Sequence, residues 1–121
     1  MKIICLILYT TLYSMVVFSQ DTAKADYDYF IVLYTIGDNW DTTKQAYEQP
    51  YFKEHSTYLS ELRKAKKIEV GGRYGDTGMI LFKARDEEEV RASVTDDIAI
   101  KNDLFKVEIF RFDPFYNGCV E

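Results

Sequence analysis

Eight residues, Tyr29 to Ile36, limit most strongly what this chain can fold into. They read Tyr-Phe-Ile-Val-Leu-Tyr-Thr-Ile, dense in aromatic and β-branched side chains, which predicts a strand. Successive strand side chains point to opposite faces. Tyr29, Ile31 and Leu33 therefore share one face, and Phe30, Val32 and Tyr34 share the other. Neither face is polar, and a strand apolar on both sides must be covered on both sides. Met79 to Ala84 repeats the pattern.

The rest of the chain predicts what supplies one of those covers. Gly37 to Gln49 is a polar loop with room for one helical turn after Thr42. Pro50 suits the first turn of a helix running to about Lys66. Phe52, His55, Leu59 and Leu62 fall on one face of it. Ile68 to Val70 is a short strand entering Gly71-Gly72, and Arg73 to Gly78 has turn composition. Asp86 followed by Glu89 opens a second helix, a connecting segment spans Thr95 to Asp103, and Phe105 to Phe112 is the last strand. The order is strand, helix, strand, strand, helix, strand. That predicts an α+β fold, the ferredoxin-like βαββαβ arrangement with an antiparallel sheet and two helices on one face. Two helices leave the second face bare, and a large bare apolar face is uncommon in monomers. A homodimer with its sheets packed face to face is therefore expected.

The start of the chain reads differently. Lys2 precedes an apolar run from Ile3 to Ser19, and no further charge occurs before Asp21. A basic start, an apolar run and a small residue at its end predict a secretory signal peptide over 1–19, cut after Ser19 or after Gln20. Residues 20–28 are then a linker, 29–113 one domain and 114–121 a tail. Export to the periplasm or the medium is expected, with no membrane attachment after cleavage. The leader takes Cys5 with it and leaves only Cys119, so no internal disulfide is expected. A formal net charge of −5 disfavours nucleic acid as a partner.

The run Gly37, Trp40, Asp41, Lys44, Gln49, Pro50, Phe52, His55 resembles the YciI-like (YCII-related) family, with its Gly-x-x-Trp loop and Gln-Pro-x-Phe-x-x-His helix start. Leu62, Ile68, Val70, Gly71 and Gly72 look like that family's second strand and Gly-Gly turn, and Gly78-Met79 like the start of its third. Asp97, Lys101 and Leu104 look like its Asp-Pro-x-x-x-x-x-Leu segment. The resemblance implies a dimeric α+β barrel and a cleft holding a His–Asp pair, here His55 and Asp97. It also implies chemistry on small, often aromatic or lactone-like molecules. Three positions depart from the pattern. Ile98 stands where Pro would follow the Asp, Arg73 where Pro often follows the Gly-Gly, and Asp103 where Gly is common.

His55 is the only histidine in the chain. On an apolar helix face it points inward and needs partners for its ring nitrogens. A carboxylate would orient one nitrogen and leave the other for substrate, which is the arrangement of a general base. Asp97 is the candidate by resemblance, with Asp96 beside it. The bland alternative is a core histidine satisfied by backbone or a tyrosine. Arg73, after Gly71-Gly72, is placed to take a carboxylate ligand or to be a solvated turn residue. Tyr34 and Trp40 are candidates to line an aromatic pocket, Tyr34 otherwise being core and Trp40 a lid. No metal site is expected from one histidine and scattered carboxylates. No Gly-x-Gly-x-x-Gly, phosphate loop or Gly-x-Ser-x-Gly is present, so no cofactor is expected either. Three functions follow: a cofactor-independent lyase- or isomerase-type enzyme acting on a small molecule, a non-catalytic small-ligand binding or sensing dimer, or a structural interaction module.

Overall fold

The structure, a computed structural model, describes residues 26–116 and Gly118. The expected leader, most of the linker and Cys119 lie outside the described residues. Four strands form one antiparallel sheet: β1 (Asp28–Ile36), β2 (Ile68–Tyr74), β3 (Thr77–Ala84) and β4 (Phe105–Phe112), in the order β2-β3-β1-β4. The helices are α1 (Phe52–Lys64), α2 (Glu87–Thr95) and α3 (Ile98–Lys101), with a 3₁₀ turn at Ala46–Glu48. The architecture is α+β and compatible with a ferredoxin-like fold. No helix among the described residues is long and apolar enough to cross a membrane.

The core follows from the two-faced strands. Phe30, Val32 and Tyr34 of β1 lie beside Ile80 and Phe82 of β3 and Val107 and Ile109 of β4. Leu62 of α1 and Val90 and Val94 of α2 close over this face. Ile31, Leu33, Met79, Leu81 and Val70 occupy the opposite face, half-buried, with Phe110 52% exposed beside them.

The elements differ from expectation in three places. Helix α1 starts at Phe52, not Pro50, because Tyr51 adopts a left-handed conformation (φ 67°) that no helix turn can include. Arg73 and Tyr74 are not turn residues. They continue β2, and the turn is Gly75-Asp76 alone, with Gly75 at φ +55°. A hairpin this tight needs a positive φ, which glycine takes without steric cost. The connecting segment holds a third short helix, α3, capped by the Asp97 carboxylate, which accepts from Ala99 N at 2.9 Å. Helix α2 is capped as read. Asp86 accepts from Glu89 N at 2.8 Å, and the Glu89 carboxylate reaches back to Arg85 N at 3.0 Å.

One irregularity matters for function. Ile68 pairs with Phe82 but Val70 pairs with Leu81, so Glu69 is an extra residue in β2. Such a bulge shifts the alternation of every residue after it. Gly71 and Arg73 thereby face the helix side, opposite Ile80 and Gly78. Regular alternation from Ile68 would face them the other way.

Candidate functional site

A cleft of about 730 Å³ opens between α1, the loop before it and the helix side of the sheet. That size suits a small organic molecule. Trp40, Phe52 and Phe105 give it aromatic walls, the rings of Trp40 and Phe105 lying 5.6 Å apart. Gly71, Gly72 and Gly78 line it as bare backbone. A Cβ at Gly72 would meet nothing within 4 Å, and one at Gly71 only ordinary contacts from 3.6 Å.

His55 stands on the first full turn of α1 and is 7% exposed. Its Nδ1 lies 2.5 Å from Asp97 Oδ2, closer than an ordinary N–H···O hydrogen bond. Asp97 is 1% exposed, and its other oxygen caps α3. A carboxylate only accepts, so Nδ1 carries the hydrogen and a neutral ring has its lone pair on Nε2. No described residue bonds Nε2. Yet no buried side-chain nitrogen or oxygen among the described residues lacks a partner. Nε2 therefore reaches accessible space, in the cleft that His55 lines.

The same reasoning applies to Tyr34, which is 5% exposed and lines the same cleft. Its ring meets the His55 ring edge-on at 5.3 Å, and no described residue bonds its hydroxyl. Burial, with Asp97 and Tyr58 nearby, pushes the phenol well above its ordinary pKa. Tyr34 thus presents a neutral O–H donor to the cleft that His55 also lines.

All six residues singled out in the sequence belong to this region. His55, Tyr34, Trp40, Gly72 and Arg73 line the cleft, and Asp97 lies behind His55. Asp96, the rival for Asp97, is exposed and pairs with Lys101 at 3.2 Å. Gln49 carries more than the sequence suggested. It is buried, and its carboxamide accepts from Asp41 N (3.0 Å) and donates to Asp41 O (2.6 Å), tying the Trp40 loop closed. A glutamine in a polar loop gives no sign of such burial; only its place in the family-like run marked it. Phe105 was read simply as a strand residue, yet its ring packs 4.8 Å from that of His55.

Among the described residues, no group of three or more His, Cys, Asp or Glu side chains is placed to hold a metal ion. Comparison with protein families, curated proteins and solved structures finds no match to this chain.

Proposed function

We propose that the chain is a YciI-like, cofactor-independent enzyme of lyase or isomerase type, acting on a small molecule held in this cleft. The observation that carries the proposal is the buried His55, held at Nδ1 by Asp97 and open to the cleft at Nε2. In the proposed step Nε2 takes a proton from a carbon next to a carbonyl, the pair of the broken C–H bond becomes the enolate C=C bond, and the carbonyl π pair moves onto the oxygen. The Tyr34 O–H donates to that developing oxyanion. The enolate then regains the proton at another carbon, which is isomerisation, or expels a leaving group, which is elimination. Asp97 keeps the imidazole in the required tautomer throughout.

The proposal includes a homodimer in which the open sheet faces pack together as an α+β barrel. Support comes from the continuous apolar surface of Ile31, Leu33, Met79, Leu81 and Phe110, on the side of the sheet away from the helices. Export to the periplasm or medium is proposed on the leader pattern alone.

The test is hydrogen exchange in D₂O, followed by NMR, on a panel of small carbonyl compounds including aryl ketoacids and lactones. The wild-type protein should exchange an α-proton of at least one member, and His55→Ala should lower the rate by about 10²–10⁴-fold. Exchange that survives His55→Ala refutes the base. A ligand that binds in the cleft without exchange leaves the binding or sensing protein in its place.

A further inference from the structure

We infer that the cleft takes a small apolar molecule bearing a carboxylate, and that the Arg73 guanidinium holds that carboxylate. The inference rests on the cleft being the ligand site proposed above, and it names the class of ligand. Three observations carry it.

The first is register. The bulge at Glu69 breaks the alternation from Ile68, so Arg73 lies on the cleft side, opposite Gly78, where regular alternation would place it on the outer face. A solvated turn arginine has no need of a strand position, still less of a bulge that re-aims it.

The second is that Arg73 has no ionic partner among the described residues. Lys53, Arg63, Lys64 and Lys66 also lack one, but of these cations Arg73 alone lines the cleft. A planar guanidinium presents paired N–H donors that match a carboxylate, and at the mouth of an apolar cleft it adds charge-assisted bonds to a ligand that apolar contact already holds. Among the described residues, the only other ionisable side chains lining the cleft are Tyr34, His55 and Asp76. Asp76 sits in the hairpin turn, where its charge opposes an acid.

The third is shape. Gly71 and Gly78 face the cleft with no side chain, opposite the aromatic wall of Trp40, Phe52 and Phe105. Packing does not require Gly71, since a Cβ there would meet Ile80 at an ordinary 3.6 Å. Bare floor, aromatic wall and two nearly buried polar side chains, His55 and Tyr34, aimed into the space between them describe a slot for a flat apolar body. Its charged end lies toward Arg73.

The test compares phenylacetate with phenylacetamide, which share a shape and differ in charge, by calorimetric titration at low salt on the wild-type chain. Phenylacetate should bind at least about tenfold more tightly. Arg73→Gln should abolish that preference and leave the amide affinity unchanged. Asp76→Asn should strengthen acid binding. Gly71→Val, which suits a strand, should keep the melting temperature and weaken both ligands together. Equal affinity for acid and amide, a preference that survives Arg73→Gln, or no binding of either at millimolar concentration overturns the inference. Equal affinity that Gly71→Val still weakens would sink the carboxylate but keep the cleft. Affinity for both ligands that Gly71→Val leaves untouched would sink the cleft itself.

Discussion

Replacing Asp97 by Asn changes the hydrogen-bond roles at His55 while preserving the shape of the site. An asparagine carbonyl can still accept from Ala99 N, so the α3 cap survives. The amide nitrogen then faces His55 Nδ1, which must switch from donor to acceptor. The hydrogen moves to Nε2, and the atom that faces the cleft changes from a base to a donor. Losing a hydrogen bond to a charged group costs about 1.5–3 kcal/mol, partly restored by the new bond. Asp97→Ala removes the cap as well, about 1 kcal/mol more, so it should destabilise by roughly 3 kcal/mol against a smaller loss for Asp97→Asn. The tautomer is directly observable. Because His55 is the only histidine, a two-bond ¹H–¹⁵N spectrum of the neutral imidazole contains one ring. It should report Nδ1–H in the wild-type protein and Nε2–H in Asp97→Asn, with proton-exchange activity down by about 10²-fold or more. An unchanged tautomer, or activity within a few-fold of wild type, would refute the assigned role of Asp97.

Four further outcomes are expected. Asp103→Gly should raise stability by about 1 kcal/mol in denaturant titration, because Asp103 sits at φ 53°, where glycine is unstrained. Ile98→Pro should stabilise by about 0.4–1 kcal/mol. Ile98 is the first residue of α3, and Asp97 before it already has the extended backbone (φ −68°, ψ 125°) that a following proline requires. Gly37→Ala should lower the melting temperature at a cost of about 1–3 kcal/mol or more, since its Cβ would lie 2.1 Å from the Asp103 carbonyl oxygen. Above pH 10 Tyr34 should contribute a fall in stability of about 1.4 kcal/mol per pH unit, a share of the alkaline slope that Tyr34→Phe removes. The sign follows from the raised folded-state pKa: the unfolded phenol ionises there while the buried one stays neutral.

Much of the fold is visible in strand composition. Runs apolar on both faces identified β1 and β3, and the spacing of Phe52, His55, Leu59 and Leu62 gave the inward face of α1, on which His55 and Leu62 are buried. The misplaced boundaries have local causes. Tyr51 takes a left-handed conformation that its residue type does not advertise, and α3, only four residues long, is too short to show a period. The site was legible in its histidine from periodicity and in its partner only through the family resemblance. His55 and Asp97 are 42 residues apart, and no local pattern distinguishes Asp97 from Asp96. The departures at Ile98 and Asp103 left the backbone intact. The helix still begins at residue 98, and Asp103 itself adopts the conformation glycine would prefer. The bulge at Glu69 had no sequence signal, because a strand with one extra residue has the same composition as one without it.

That bulge makes the tip of the β2–β3 hairpin a reversible panel. Closing the bulge at constant length, so that Glu69 pairs with Leu81 and Val70 with Ile80, would exchange the two sides of every β2 residue beyond it while leaving β1 and β3 as they are. Gly71 and Arg73 would turn away from the cleft, and Val70 and Gly72 would turn toward it. A one-residue slip of β2 against β3 thus offers lineages a route to new ligand preferences. They could follow it without altering His55, Asp97 or the packing beneath them.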